Sequence, residues 1–269
     1  MSEQNTIDVV TMPRTRQSLA DDLRALGLKE GMTVIVHSSL SSLGWVCGGA
    51  VAVVQALMDV LTEEGTLVMP THSSEFSDPA LWQNPPVPKE WHEIIRETMP
   101  AFDPLFTPTR NMGKIVDTFR TFPGVLRSNH PHVSFAAWGK HKELVTDNHS
   151  LDYGLGDRSP LARIYDLDGY VLLLGVGHDR NTSLHLSENR APGTVKEMLG
   201  SPIIRDGQRV WATFAEIEID SDQFPEAGEQ FEAAHPIQSG KVGSADAKLI
   251  GQRALVDFGT AYFAKKRGF

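Results

Sequence analysis

In the first seventy residues an apolar run, a loop of small residues, an apolar helix pattern and a second apolar run follow in direct succession, an order that few folds accept. Leu19, Leu23 and Leu26 lie at helical spacing, and Gly27 and Gly31 close that helix and open a β-rich run from Met32 to Val36. The run feeds His37-Ser38-Ser39-Leu40-Ser41-Ser42-Leu43-Gly44 and then Gly48-Gly49. A helix follows with Val51, Val54, Leu57, Met58 and Leu61 on one apolar side, and after Gly65 comes a second strand, Thr66 to Met69. This is a βαβ unit, whose strands are parallel and whose crossover is right-handed.

The character changes between Pro70 and Arg110. Prolines at 79, 85, 86, 88, 100, 104 and 108 punctuate the chain, with Trp82 and Trp91 between them. A loop of that length in a compact domain is functional or disordered, and its aromatic content points to an ordered cleft wall at about 71–110. Regular structure resumes with a helix around Gly113 to Phe122, a short strand near Ser134 to Trp138, a helix opened by Ser159-Pro160 and a central strand from Tyr170 to Leu174. Pro202 to Asp220 alternates and turns at Asp206-Gly207, so it reads as a hairpin that makes the sheet mixed. Ala245 to Lys266 carries Leu249, Ala254, Leu255, Phe258 and Tyr262 at helical spacings and reads as the last helix. Without repeat or linker, residues 1–269 are expected to form one α/β domain, a mixed central sheet flanked by helices.

Three constellations can carry chemistry. His37 to Ser42 follows the first strand and runs into a helix, where hydroxyls and backbone amides suit phosphate or pantetheine amides; it is equally a helix-capping turn. Phe102-Asp103-Pro104 with Thr107-Pro108-Thr109-Arg110-Asn111-Met112-Gly113 puts an arginine and free amides at a helix start, which suits an anion or simply a capped helix. The sharpest runs from Leu172 through Gly175-Val176-Gly177-His178-Asp179 to Thr182, His185 and Glu188. Steps of three keep those last side chains on neighbouring parts of one helix face, so an imidazole able to accept a proton at neutral pH is flanked by a hydroxyl and a carboxylate.

Composition removes whole classes of function. The formal charge of −9 argues against nucleic acid and, weakly, for a cationic small molecule. The single Cys47 allows no internal disulfide and no cysteine-based zinc framework, which fits a reducing cytoplasm. No leader-like or membrane-length apolar stretch is present, so neither export nor a membrane partner is expected. His37, His72, His130 and His132 leave a metal-dependent hydrolase as a rival, but no HExxH or paired zinc spacing supports it, and no metal is expected.

Taken together, Val36-His-Ser-Ser-Leu-Ser-Ser-Leu-Gly44, Met69-Pro-Thr71, Phe102-Asp-Pro104, Thr109-Arg-Asn-Met-Gly113, Arg127-Ser-Asn-His-Pro131, Gly156 with Ser159-Pro-Leu161, the Thr182/His185/Glu188 segment and Gly243-Ser-Ala245 resemble the aminoglycoside 3-N-acetyltransferases, or antibiotic N-acetyltransferases. The resemblance runs in order from about residue 15 to the C-terminus. It implies a fold of that family's own type, distinct from GNAT, and acetyl transfer from acetyl-CoA to the 3-amino group of an aminoglycoside's 2-deoxystreptamine ring, conferring antibiotic resistance. The partners implied are coenzyme A and the aminoglycoside or another cationic amine; the number of assembled chains is left open. By the resemblance, His37, Ser38, Ser39, Leu40, Ser41 and Ser42 hold pantetheine and pyrophosphate, supported by Arg110, Met112, Gly113 and Ser159. His185 is the general base, and Asp179 or Glu188 orients the imidazole or holds a substrate ammonium, a choice that spacing leaves open; the chemistry also asks for an oxyanion donor, for which Thr182 or a loop amide is the candidate. Glu75, Asp152, Tyr153 and Glu188 are candidates for the antibiotic wall. Transfer is expected to be direct, in a ternary complex, since no activated cysteine or serine is evident. The nearer alternative keeps acetyl-CoA and changes the acceptor to another amine metabolite.

Overall fold

The computed structural model describes residues 3–8 and 10–269. In chain order the helices are α1 (Glu3–Asp8), α2 (Arg16–Leu26), α3 (Gly49–Leu61), α4 (His92–Thr98), α5 (Lys114–Phe119), α6 (Lys142–Thr146), α7 (Pro160–Asp166), α8 (Ser183–Arg190), α9 (Phe224–Ala234) and α10 (Gln252–Lys266). The strands are β1 (Thr33–Ser38), β2 (Thr66–Pro70), β3 (Leu126–Arg127), β4 (Phe135–Gly139), β5 (Tyr170–Leu174), β6 (Lys196–Arg205), β7 (Gln208–Ile217), β8 (Gln238–Val242) and β9 (Ala245–Gly251).

Seven strands form the central sheet in the order β3-β4-β2-β1-β5-β9-β8. Only the neighbours β2–β1 and β1–β5 pair in parallel. Their apolar runs are buried on both faces, as parallel strands covered by helices require. One face packs on α2, α3 and α5 through Leu23, Val54, Leu57 and Phe119; the other packs on α7 to α10 through Leu161, Leu184, Phe224 and Leu255. The βαβ unit forms as expected, with Thr33 opposite Thr66 in parallel register.

The sheet is mixed, but for another reason than the expected hairpin. Strands β6 and β7 do form that hairpin, yet they make a separate two-stranded sheet, and the antiparallel character enters at β4, β9 and β8. The stretch Ala245–Lys266 also divides. Ala245–Gly251 is β9, where alternate residues Ala245, Ala247 and Leu249 are buried, and helix begins only at Gln252. Val51 is exposed rather than packed.

The excursion after β2 contains α4 and packs against the hairpin. Phe102 N–H donates to Pro202 O and Ser201 Oγ to Phe76 O, which fixes the wall against the hairpin. Its other anchor is Arg127, whose half-buried guanidinium donates to Thr71 O, Thr71 Oγ1, Ser73 Oγ, Thr107 O and Ser134 Oγ and lies over the Phe102 ring. These acceptors are neutral oxygens, and burial lowers the Arg127 pKa to about 10. Arg127→Met removes all five of these bonds and is expected to destabilise the protein by about 2–4 kcal/mol, read as a lower urea midpoint; a midpoint equal to wild type would show that water replaces the clamp.

Candidate active site

The carboxyl ends of β1, β2 and β5 open on a cavity of about 1600 Å³, larger than the usual 300–1000 Å³ of a small-molecule site. Its wall is built from the loop after β1, the first turn of α3, the segment from Asn111 into α5, and the turn after β5. Gly113 sits at φ 86° before α5, a left-handed conformation that glycine accepts without strain. A second pocket of about 340 Å³ lies beside it, lined by His72, Arg110, Met112, His132, Phe214 and Glu216 among others. His72, Asn111 and Met112 stand in both walls.

His37, Ser38, Ser39, Leu40, Ser41, Met112, Gly113, Asp179 and Thr182 all line the large cavity. Ser42 and Ser159 do not. Ser42 Oγ donates to Ser39 Oγ and Gly175 O and so braces the loop against β5, while Ser159 is buried as the N-cap of α7, accepting from Ala162 N–H. Arg110 lines the second pocket instead. Glu75, Asp152 and Tyr153 line neither. Asp152 accepts from Ala215 N–H and Tyr153 N–H donates to Ala215 O, so both pin their loop to β7.

Spacing left two carboxylates open beside His185, and the geometry separates them. His185 Nδ1 lies 2.6 Å from Glu188 Oε2, whereas Asp179 is exposed and pairs with Arg180. The carboxylate is nearly sealed, and the imidazole stands edge to face on Phe224, 4.7 Å between centroids. With Nδ1–H donated to Glu188, the lone pair of Nε2 is left to accept a proton. His185 belongs to neither cavity wall as such. It lies one turn along α8 from Thr182, which does, and a positive charge on it lowers the pKa of both His37 and His72.

Three of the remaining histidines are held by polar partners, and a fourth, His132, stands in the wall of the second pocket with its Nε2 unpartnered. His130 Nδ1 accepts from the amides of His132 and Val133 and its Nε2–H donates to Leu151 O; His149 Nδ1 accepts from Ser128 Oγ and its Nε2–H donates to Gly154 O. His178 Nε2 reaches Glu232, and its ring fills the space where a Cβ on Gly228 would stand. His132 packs on Phe214 at 5.1 Å. Among the described residues, no three His, Cys, Asp or Glu side chains are grouped to hold a metal ion.

Sequence reasoning missed Glu216. It is 2% exposed, accepts from Gly154 N–H and Ile217 N–H, and faces the second pocket; burial pushes its pKa up. The signal was present, because Ala212, Phe214 and Glu216 share the buried face of β7 and a carboxylate at such a position needs a reason.

The sequence profile of the aminoglycoside 3-N-acetyltransferases matches residues 35–264. The chain belongs to that family. It is 55% identical over 258 residues to the SPbeta prophage-derived aminoglycoside N(3')-acetyltransferase-like protein YokD of Bacillus subtilis (strain 168), covering 96% of this chain and 95% of that one. The crystal structure of YokD superposes with a TM-score of 0.96, at 53% identity over 97% of both chains. Two further similar structures carry ligands: AAC-IIIb, a binary complex with CoASH (32% identity, TM-score 0.86, covering 95% of this chain and 98% of that one), and AAC-VIa bound to sisomicin (28%, 0.86, 96% and 100%). This antibiotic N-acetyltransferase is thus an enzyme of the AAC(3) fold and not of the GNAT fold. No helix among its described residues is long and apolar enough to cross a membrane.

Proposed function

We propose that this enzyme transfers the acetyl group of acetyl-CoA to the 3-amino group of the 2-deoxystreptamine ring of an aminoglycoside, directly within a ternary complex, and that cells carrying it gain resistance. The observation that carries the reading is the His185–Glu188 pair one helical turn from Thr182, which itself lines a cavity of about 1600 Å³. The CoASH and sisomicin complexes of AAC-IIIb and AAC-VIa support the two ligand classes.

The large cavity takes the acetyl-CoA, its Ser- and Gly-rich loop offering amides and hydroxyls to pantetheine and its α5 side meeting the phosphates. The acceptor occupies the second pocket, where an ammonium group answers the buried Glu216 carboxylate. His185 Nε2 takes a proton from the acceptor amine, whose nitrogen pair then forms the new bond to the thioester carbon while the carbonyl pair moves to oxygen. The Thr182 hydroxyl donates to that oxygen. As the carbonyl re-forms, the carbon–sulfur bond breaks and the thiolate leaves, receiving the proton from His185, while the nitrogen gives its remaining excess proton to solvent and becomes the neutral amide. Glu188 holds the ring in the tautomer this requires and stabilises the transient imidazolium.

The reading is tested by thiol release from acetyl-CoA with a panel of aminoglycosides. Release that depends on the antibiotic is expected, with initial rates that rise with both substrates in an intersecting pattern; parallel lines and an acetylated enzyme would overturn direct transfer. Because Glu216 and the net charge of −9 attract a polycation, KM for the antibiotic is expected to rise with ionic strength. Release with some other amine alone would transfer the reaction to that acceptor.

A further inference from the structure

His37 and His72 stand at the ends of the adjacent parallel strands β1 and β2, and both line the large cavity together with Thr182. The two rings share an unusual defect. Nε2 of each is buried without a hydrogen-bond partner, as is that of His132 in the second pocket, whereas Nε2 of His130, His149 and His178 is bonded. Such orphans ask for an explanation. A neutral imidazole has one N–H and one bare nitrogen, and a buried N–H facing no acceptor is the costlier orphan. The proton therefore belongs on Nδ1 in both rings, which leaves that N–H as the one donor each residue can offer to a ligand in the cavity it lines.

Burial, reinforced by the charge of His185, holds both rings neutral, with the pKa of each about 3. They are also fixed in place. Thr71 and Ser73, on either side of His72, receive the Arg127 guanidinium; His72 O accepts from Arg110 N–H, and its ring lies edge to face on Phe135 at 5.5 Å. His37 lies within β1, in register with β5. Rigid neutral donors in a water-poor wall are what a developing oxyanion needs, since they polarise it without giving up a proton. One hydroxyl, that of Thr182, is a thin supply for such a site.

Resting on the transfer reading above, we propose that His37 and His72 donate Nδ1–H hydrogen bonds to the thioester carbonyl oxygen, completing with Thr182 the site for the oxyanion. Both are then catalytic residues, and His72, common to the walls of both pockets, marks where acetyl group and acceptor meet. No proton leaves either ring during the cycle.

The experiment uses the whole enzyme with acetyl-CoA labelled at the carbonyl carbon with ¹³C. In the binary complex the carbonyl stretch is expected at lower wavenumber than in free acetyl-CoA, and His72→Phe returns it toward the free value. The same variant is expected to lose about 10²- to 10³-fold in kcat with KM for acetyl-CoA little changed. It should unfold no more easily than wild type, since phenylalanine keeps the contact with Phe135 and removes an orphan nitrogen. His72→Asn, whose amide can stand near the Nδ1 position, retains most of the rate. The ¹⁵N spectra of the histidines should show both rings as neutral Nδ1–H tautomers at pH 7. A His72→Phe enzyme that keeps its kcat and its carbonyl shift overturns the proposal, as do Nε2–H or charged rings. The binary carbonyl shift needs no acceptor, so it reads the donor pair even where no aminoglycoside releases thiol, the result that would sink the transfer reading instead.

Discussion

His185→Ala is expected to lower kcat by about 10²- to 10⁴-fold, with KM for both substrates little changed. An amine that is protonated near neutrality cannot attack a thioester until its proton is removed, and without the imidazole only solvent takes it. The lost interaction belongs to the transition state, so kcat and kcat/KM fall together. The loss is separable from damage to the fold. His185 is partly exposed, its packing is limited to the Phe224 edge and the Glu188 carboxylate, and the helix backbone does not depend on its ring. Glu188 is the contrasting case. It is almost fully buried, and with Glu188→Gln the ring at 2.6 Å loses its charged partner but keeps a hydrogen-bond acceptor. The expected fall in kcat is smaller than that of His185→Ala. A His185→Ala enzyme with wild-type kcat would remove the imidazole from the reaction and leave Glu216, the carboxylate facing the second pocket, as the base to test.

The turn after β5 shows how much of this site was legible in the chain. Strand, glycine turn and helix put Thr182, His185 and Glu188 on neighbouring parts of one helix face, because the 3.6-residue period makes steps of three adjacent whatever the rest of the fold does. The loop after β1 was legible for the same reason: a βαβ unit places it at the carboxyl end of the sheet. Contacts between distant segments were not. Ser159 resembled a ligand contact and is an N-cap, since a serine before Pro160 looks alike in both settings. Whether Asp152 and Tyr153 face a substrate or β7 depends on where the hairpin packs, and no local pattern states that. Strand β9 was read as helix because Ala245, Ala247 and Leu249 followed by Gln252 and Leu255 satisfy a helical spacing nearly as well as the alternation that wins once β5 and β8 flank it.

Lowering the pH from 7 to 5 is expected to unfold the protein, through the histidines that surround these pockets. Burial depresses the pKa of His37 and His72 to about 3 and of His132 and His149 to about 4, and puts that of His130 well below the ordinary 6.5. Below pH 6.5 the unfolded chain therefore binds a proton at each position that the folded chain refuses, so stability falls with pH until the folded value is reached. One such group contributes about 1.4 kcal/mol per pH unit across that window, or about 2 kcal/mol between pH 7 and 5. Counting only His37, His72 and His132, whose folded values lie at about 3, 3 and 4, gives about 6 kcal/mol, comparable with the 5–15 kcal/mol that holds a domain of ordinary stability together. Glu216 acts in the opposite sense, because its raised pKa lets the folded state take up a proton first, but it is one group against several. Carboxylates with ordinary values near 4 scarcely titrate above pH 5.5, which assigns any steep loss between 6.5 and 5.5 to the histidines. Urea midpoints measured at half-unit steps should decline across that interval with a slope of about three protons or more. A flat profile down to pH 5.5 would mean that these rings are charged in the folded protein, and the neutral donors at His37 and His72 would fall with it.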